Sequence, residues 1–97
     1  MILVHGRGAT AQSILPLADE LYHPDLAYIA PQARGNSWYP NSFLSPIESN
    51  EPYLSSALQG LGELLIQLND AGIVAKNVLF AGFSQGACLA AEFVARN

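Results

Sequence analysis

The chain has 97 residues, room for one small domain, which excludes a multi-domain reading. Apolar residues make up 51% and charged residues 12%, about half the ~25% of an ordinary soluble chain, so disorder and low complexity are excluded as well. A net charge of −4 and only four scattered Lys and Arg residues exclude tracking of a nucleic-acid backbone or an anionic membrane surface.

The single cysteine, Cys88, has no partner for a disulfide or a zinc site, which points to a reducing compartment and a cytoplasmic location. No apolar run approaches the ~20 residues of a membrane span, and the N-terminus lacks the basic, apolar and cleavable series of a secretion signal. High apolarity with low charge also fits an interior slice of a larger protein whose other parts cover its faces. Met1-Ile2-Leu3-Val4, which reads as a buried strand from residue 1 with no lead-in segment to pair beside it, agrees with that.

The first strand runs into His5-Gly6-Arg7-Gly8 and then an amphipathic helix over about 11–22, with Thr10 as its N-cap. Leu15, Ala18, Leu21 and Tyr22 share one face of that helix, and Pro16 kinks it or marks its start. His23-Pro24-Asp25 ends the helix, and residues 26–30 form a second short strand that stops at Pro31. Residues 32–50 carry turn chemistry and little periodicity, the signature of a long functional loop.

Asn50-Glu51-Pro52 opens the next helix, with proline in the first turn and acid at the positive end of the dipole. Leu54, Leu58, Leu61, Leu65 and Leu68 repeat at alternating spacings of four and three, one apolar stripe on a helix reaching about Ala71, and Gly72 terminates it. Residues 77–82 predict a third buried strand, Phe83 to Gly86 a tight turn, and Gln85 to Arg96 a core helix apolar on nearly every face. The order βαβαβα predicts an α/β fold of three parallel strands alternating with helices, joined by right-handed crossovers.

Gly82-Phe83-Ser84-Gln85-Gly86 fits Gly-x-Ser-x-Gly between a strand and a helix, the context of a nucleophile elbow. The glycines serve a turn too tight for a Cβ, and Ser84 is forced out at the strand end, beside the positive end of a helix. In acyl transfer the Ser84 hydroxyl attacks a carbonyl carbon, and the oxyanion needs two donors, one of them the Gln85 backbone N–H. The other is expected from the turn after another strand, which assigns it to the Arg7 backbone N–H.

These residues resemble the phospholipase/carboxylesterase family of α/β-hydrolases, which includes acyl-protein thioesterases and small serine esterases. The resemblance rests on Ile2-Leu3-Val4-His5-Gly6-Arg7-Gly8, Leu15-Pro16-Leu17-Ala18, Ser37-Trp38-Tyr39 and Gly82-Phe83-Ser84-Gln85-Gly86-Ala87, and spans the chain. It implies a carboxylic-ester or thioester hydrolase acting on a small-molecule or lipid acyl group, without cofactor or metal. Ser84 is then the nucleophile, Arg7 and Gln85 supply the oxyanion hole, and Trp38 and Tyr39 border the substrate. In such enzymes the acid and the base follow the serine, whereas the thirteen residues after Ser84 contain neither Asp nor His. Residues 1–97 are therefore expected to be an incomplete hydrolase domain. Either they are part of a longer protein, or a partner copy covers the sheet edges.

Within the chain, His5 and His23 read as structural groups, Cys88 as a small buried hydrophobe, and Asp19, Asp25 and Asp70 as surface or turn residues. Two other functions compete. One is a catalytically incomplete assembly module of hydrolase ancestry. The other is dinucleotide binding, because Gly6-Arg7-Gly8-Ala9-Thr10-Ala11 satisfies Gly-x-Gly-x-x-Gly/Ala, although Ala30-Pro31 stands where an acidic ribose ligand is expected.

Overall fold

The computed structural model describes residues 1–97. Ile2–Val4 forms β1, whose three side chains are all buried, and it pairs in parallel with β2, Phe80–Gly82. Ile2 lies opposite Phe80, Leu3 opposite Ala81 and Val4 opposite Gly82. A parallel pair needs a long crossover, and the remaining elements supply it. They are α1 (Ala11–Ile14), α2 (Leu17–Glu20) and α3 (Tyr53–Asp70), with α4 (Gln85–Arg96) following β2.

The sheet has two strands, not the expected three. Residues 26–30 contribute a single parallel bridge, Ile29 to Ile2, held by Leu3 N–H to the Ile29 carbonyl at 2.8 Å and Ile29 N–H to the Met1 carbonyl at 3.0 Å. Proline limits this segment from both sides. Pro24 sits in a turn closed by Leu26 N–H on the His23 carbonyl, and Pro31 has no N–H with which to extend a ladder. The last strand is also shorter than residues 77–82, because a 3₁₀ turn at Ala75–Asn77 takes up its start.

The helix expected over 11–22 is broken into α1 and α2 at Leu15-Pro16. Thr10 caps α1 as expected, accepting the Ser13 N–H at 3.0 Å, while the Ser13 hydroxyl accepts the Thr10 N–H in return. The break re-aims the apolar face: Ile14 is buried, whereas Leu15, Leu21 and Tyr22 are exposed. In α3 the leucine stripe turns inward as its spacing predicts, with Leu54 and Leu61 buried and Leu58, Leu65 and Leu68 packed around them. Gly72, at φ 94°, ends that helix, its N–H on the Asn69 carbonyl and the Ile73 N–H on the Leu68 carbonyl.

α4 packs on both strands and on α3, and Leu89, Ala90 and Phe93 enter the core with Ile2, Val4 and Leu61. The Phe80 and Phe93 rings meet at 5.6 Å between centroids, tilted by 45°. The opposite side of α4 is apolar yet open: Ala87, Ala91, Val94 and Ala95 face outward beside the edge of β2, so the helix is buried on one face only. No helix is long and apolar enough to cross a membrane.

Candidate active site

The elbow joins β2 to α4 through Phe83 and Ser84. A Cβ on Gly82 would stand 2.6 Å from the Ala87 nitrogen, and one on Gly86 would overlap the Val4 carbonyl, so both positions exclude any side chain. Ser84 itself adopts φ 54°, ψ −117°, a conformation that side chains other than hydrogen resist. The strand-to-helix turn thus sets one exposed serine at positive φ between two glycines that leave no room for a Cβ.

The turn after β1 reaches this elbow from the neighbouring strand. Gly6 is buried, and a Cβ placed on it would stand 3.1 Å from the Phe83 carbonyl oxygen and 3.5 Å from the Ser84 Cβ. Arg7, Ser84 and Gln85 line one cleft of about 310 Å³ together with Tyr39, Ser42 and Phe43. Neither the Arg7 nor the Gln85 backbone N–H donates to any group of the protein. Two residues with unpaired backbone N–H groups and a serine of strained backbone therefore line one cleft.

His5 does not serve as a base in this cleft. It is fully buried, and its Nε2 accepts the Ala33 N–H at 3.0 Å, which places the ring proton on Nδ1, 2.8 Å from the Gly6 carbonyl. Both nitrogens are thereby used to brace the turn after β1. His23 accepts the Asp25 N–H at 3.1 Å in the turn after α2 and does not line the cleft. Asp19, Asp25 and Asp70 are exposed and also stand outside it. No group of three or more His, Cys, Asp or Glu stands together in a way that could hold a metal ion.

Of the two aromatic residues expected at the substrate, Tyr39 lines the cleft and Trp38 does not. Trp38 turns inward, its ring 5.0 Å from the His5 imidazole and its indole N–H donating to the His5 carbonyl at 2.8 Å. Tyr39 is buried, and burial raises its phenol pKa above the ordinary value. Tyr39 and Phe43 also border a second, mostly apolar cavity of about 420 Å³ that continues past Ile47 and Leu54 to Ala91 and Ala95 on α4. Cys88 borders that cavity, half-buried, rather than lying wholly in the core.

Sequence reasoning missed Ser42 in the cleft, and placed Asn50 at a helix start. Asn50 is buried and anchors the long loop instead, accepting the Asn41 N–H at 2.7 Å and donating to the Ser42 carbonyl at 3.3 Å. A lone asparagine ahead of a proline gives no signal for such a role, because its partners lie eight or nine residues upstream.

The family model of phospholipase/carboxylesterase matches residues 1–96. A crystal structure of a phospholipase/carboxylesterase from Dyadobacter fermentans is 48% identical, with a TM-score of 0.95. The match covers 99% of this chain and 46% of that one, so the present residues span about half the length of that relative. A search of curated proteins found no match.

Proposed function

The chain belongs to the phospholipase/carboxylesterase family, and from that membership we propose that it carries the nucleophile and the oxyanion hole of a serine hydrolase for carboxylic esters. The carrying observation is Ser84, held at φ 54° in a cleft that it shares with the unpaired N–H groups of Arg7 and Gln85. In this reading the Ser84 Oγ attacks the acyl carbon and its proton passes to a general base. The carbonyl electrons move onto oxygen, where the Arg7 and Gln85 N–H groups stabilise them. Return of those electrons breaks the bond to the leaving alcohol or thiol, which takes up the proton and leaves an acyl-enzyme for water to hydrolyse.

Neither histidine of the chain enters the cleft, so the general base and its carboxylate partner are assigned to groups outside residues 1–97. The apolar cavity beyond Tyr39 and Phe43 supports an acyl group of small or medium length, because hydrocarbon gains from burial there and a charged group does not. A second reading, an assembly module of hydrolase ancestry, is favoured by the open apolar side of α4.

Intact mass spectrometry before and after treatment with an alkyl fluorophosphonate separates the two, with Ser84→Ala as the control. With residues 1–97 joined to the part of the protein that supplies the base, one adduct on the wild type and none on the variant is the expected result. A wild-type protein that carries the base and still stays unlabelled overturns the nucleophile reading and leaves the assembly module.

A further inference from the structure

The chemistry at Ser84 uses only the backbone of Gln85, yet the Gln85 side chain is buried and both ends of its amide are bonded. Its Oε1 accepts the Trp38 N–H at 2.9 Å and its Nε2 donates to the Tyr39 carbonyl at 2.8 Å. Trp38 and Tyr39 make no main-chain to main-chain hydrogen bond. Their backbone is fixed by side chains alone, namely the Gln85 amide and the Ser37 hydroxyl, which donates to the Tyr39 carbonyl at 2.8 Å. The Gln85 amide thus does for this segment what a neighbouring strand does in a sheet, one donor and one acceptor engaging consecutive residues.

Tyr39 is the residue whose place matters most, because it borders both the Ser84 cleft and the apolar cavity. We propose that the Gln85 side chain is a positioning residue that sets acyl-chain selectivity. By clamping the Trp38–Tyr39 backbone to the elbow it holds the Tyr39 ring as the wall between the two spaces. The selectivity role rests on Ser84 being the nucleophile; the clamp itself does not.

The experiment uses the protein with the part that supplies the base, carrying Gln85→Met, which keeps the length and loses both bonds, or Gln85→Glu, which keeps the acceptor for Trp38 and sets a carboxylate oxygen against the Tyr39 carbonyl. Labelling rates with ethyl and octyl fluorophosphonates are compared, and emission from Trp38, the single tryptophan, is recorded alongside. Leu61→Val in the core serves as a destabilised variant that touches neither bond. The octyl-to-ethyl ratio is expected to fall about tenfold in both Gln85 variants, the equivalent of one to two ordinary hydrogen bonds, with Trp38 emission moving to the red. Leu61→Val is expected to leave both readings unchanged. An unaltered ratio and emission in the Gln85 variants overturns the proposal, as does an equal change in Leu61→Val. If neither probe labels the wild-type protein with its base-supplying part present, the nucleophile reading and the selectivity role fall together. A red shift in the Gln85 variants then leaves the clamp standing as a structural feature, and an unmoved emission removes that too.

Discussion

Gly86 lies against Val4 so closely that a methyl group added to its α-carbon would overlap the Val4 carbonyl oxygen. Neither side can yield easily, because the Phe83 N–H donates to that same carbonyl at 3.2 Å and the Gly86 N–H to the Phe83 carbonyl at 3.0 Å. Gly86→Ala is expected to destabilise the fold by about 3 kcal/mol, as overpacking against rigid backbone does. For a domain of this size that is a drop in melting temperature on the order of 10–20 °C. Calorimetry checks it, and a drop within a few degrees of zero would refute the close approach.

Ser84 carries its strain in the backbone, so the side chain and the strain can be separated by two substitutions. Ser84→Ala keeps the Cβ and so the cost of a φ of 54°, whereas Ser84→Gly removes the Cβ and with it that cost. The glycine variant is expected to be more stable than the alanine variant by about 1 kcal/mol after the added freedom of its unfolded chain is counted. Parallel urea titrations provide the comparison; equal midpoints would mean that Ser84 is unstrained.

His5 braces the turn after β1 by accepting the Ala33 N–H, and that donor is buried. His5→Phe fills the space but cannot accept, leaving an unsatisfied N–H that costs about 1–3 kcal/mol. Loss of protection of the Ala33 amide in hydrogen exchange is the specific readout, with a fall in melting temperature beside it.

Two groups make stability depend on pH in opposite directions. The Glu51 carboxylate accepts the Ser55 hydroxyl and the Ser55 N–H in the first turn of α3, which holds its pKa below the ordinary value. A carboxylate depressed in the folded state contributes stability that is present above the unfolded pKa of about 4.3 and is lost as pH falls through the lower folded value. Glu51→Gln is expected to flatten the acid side of the stability curve. Tyr39 acts at the other end: burial raises its pKa, so the folded chain holds the proton longer and stability declines as pH rises past about 10. Tyr39→Phe is expected to flatten that alkaline slope. Unfolding midpoints from pH 3 to 11 test both, and an unchanged slope in either variant removes that assignment.

Local order determined much of what could be read from the sequence. The leucine stripe of α3 was legible because period 3.6 on a long segment admits one burial pattern. The tight turn at residues 82–86 was legible because Gly82 and Ser84 answer to constraints close by in the chain, whereas the space at Gly86 is closed by Val4 of β1. Arg7 could be placed beside Ser84 because parallel pairing of β1 with β2 brings the turns that follow them to the same sheet end.

Tertiary structure decided what no window along the chain contains. Residues 26–30 have strand composition, but the number of ladder bonds they form depends on how Pro24 and Pro31 let them approach β1. The face of α1 and α2 that is buried depends on how the Pro16 break re-aims it, and periodicity through residues 11–22 pointed elsewhere. Trp38 and Tyr39 are adjacent, yet one packs on His5 and the other walls the cleft, because Gln85, more than forty residues away, fixes the backbone between them. A hydrogen bond across that separation leaves no periodic trace in a single sequence; it exists only once β2 has brought α4 alongside the loop.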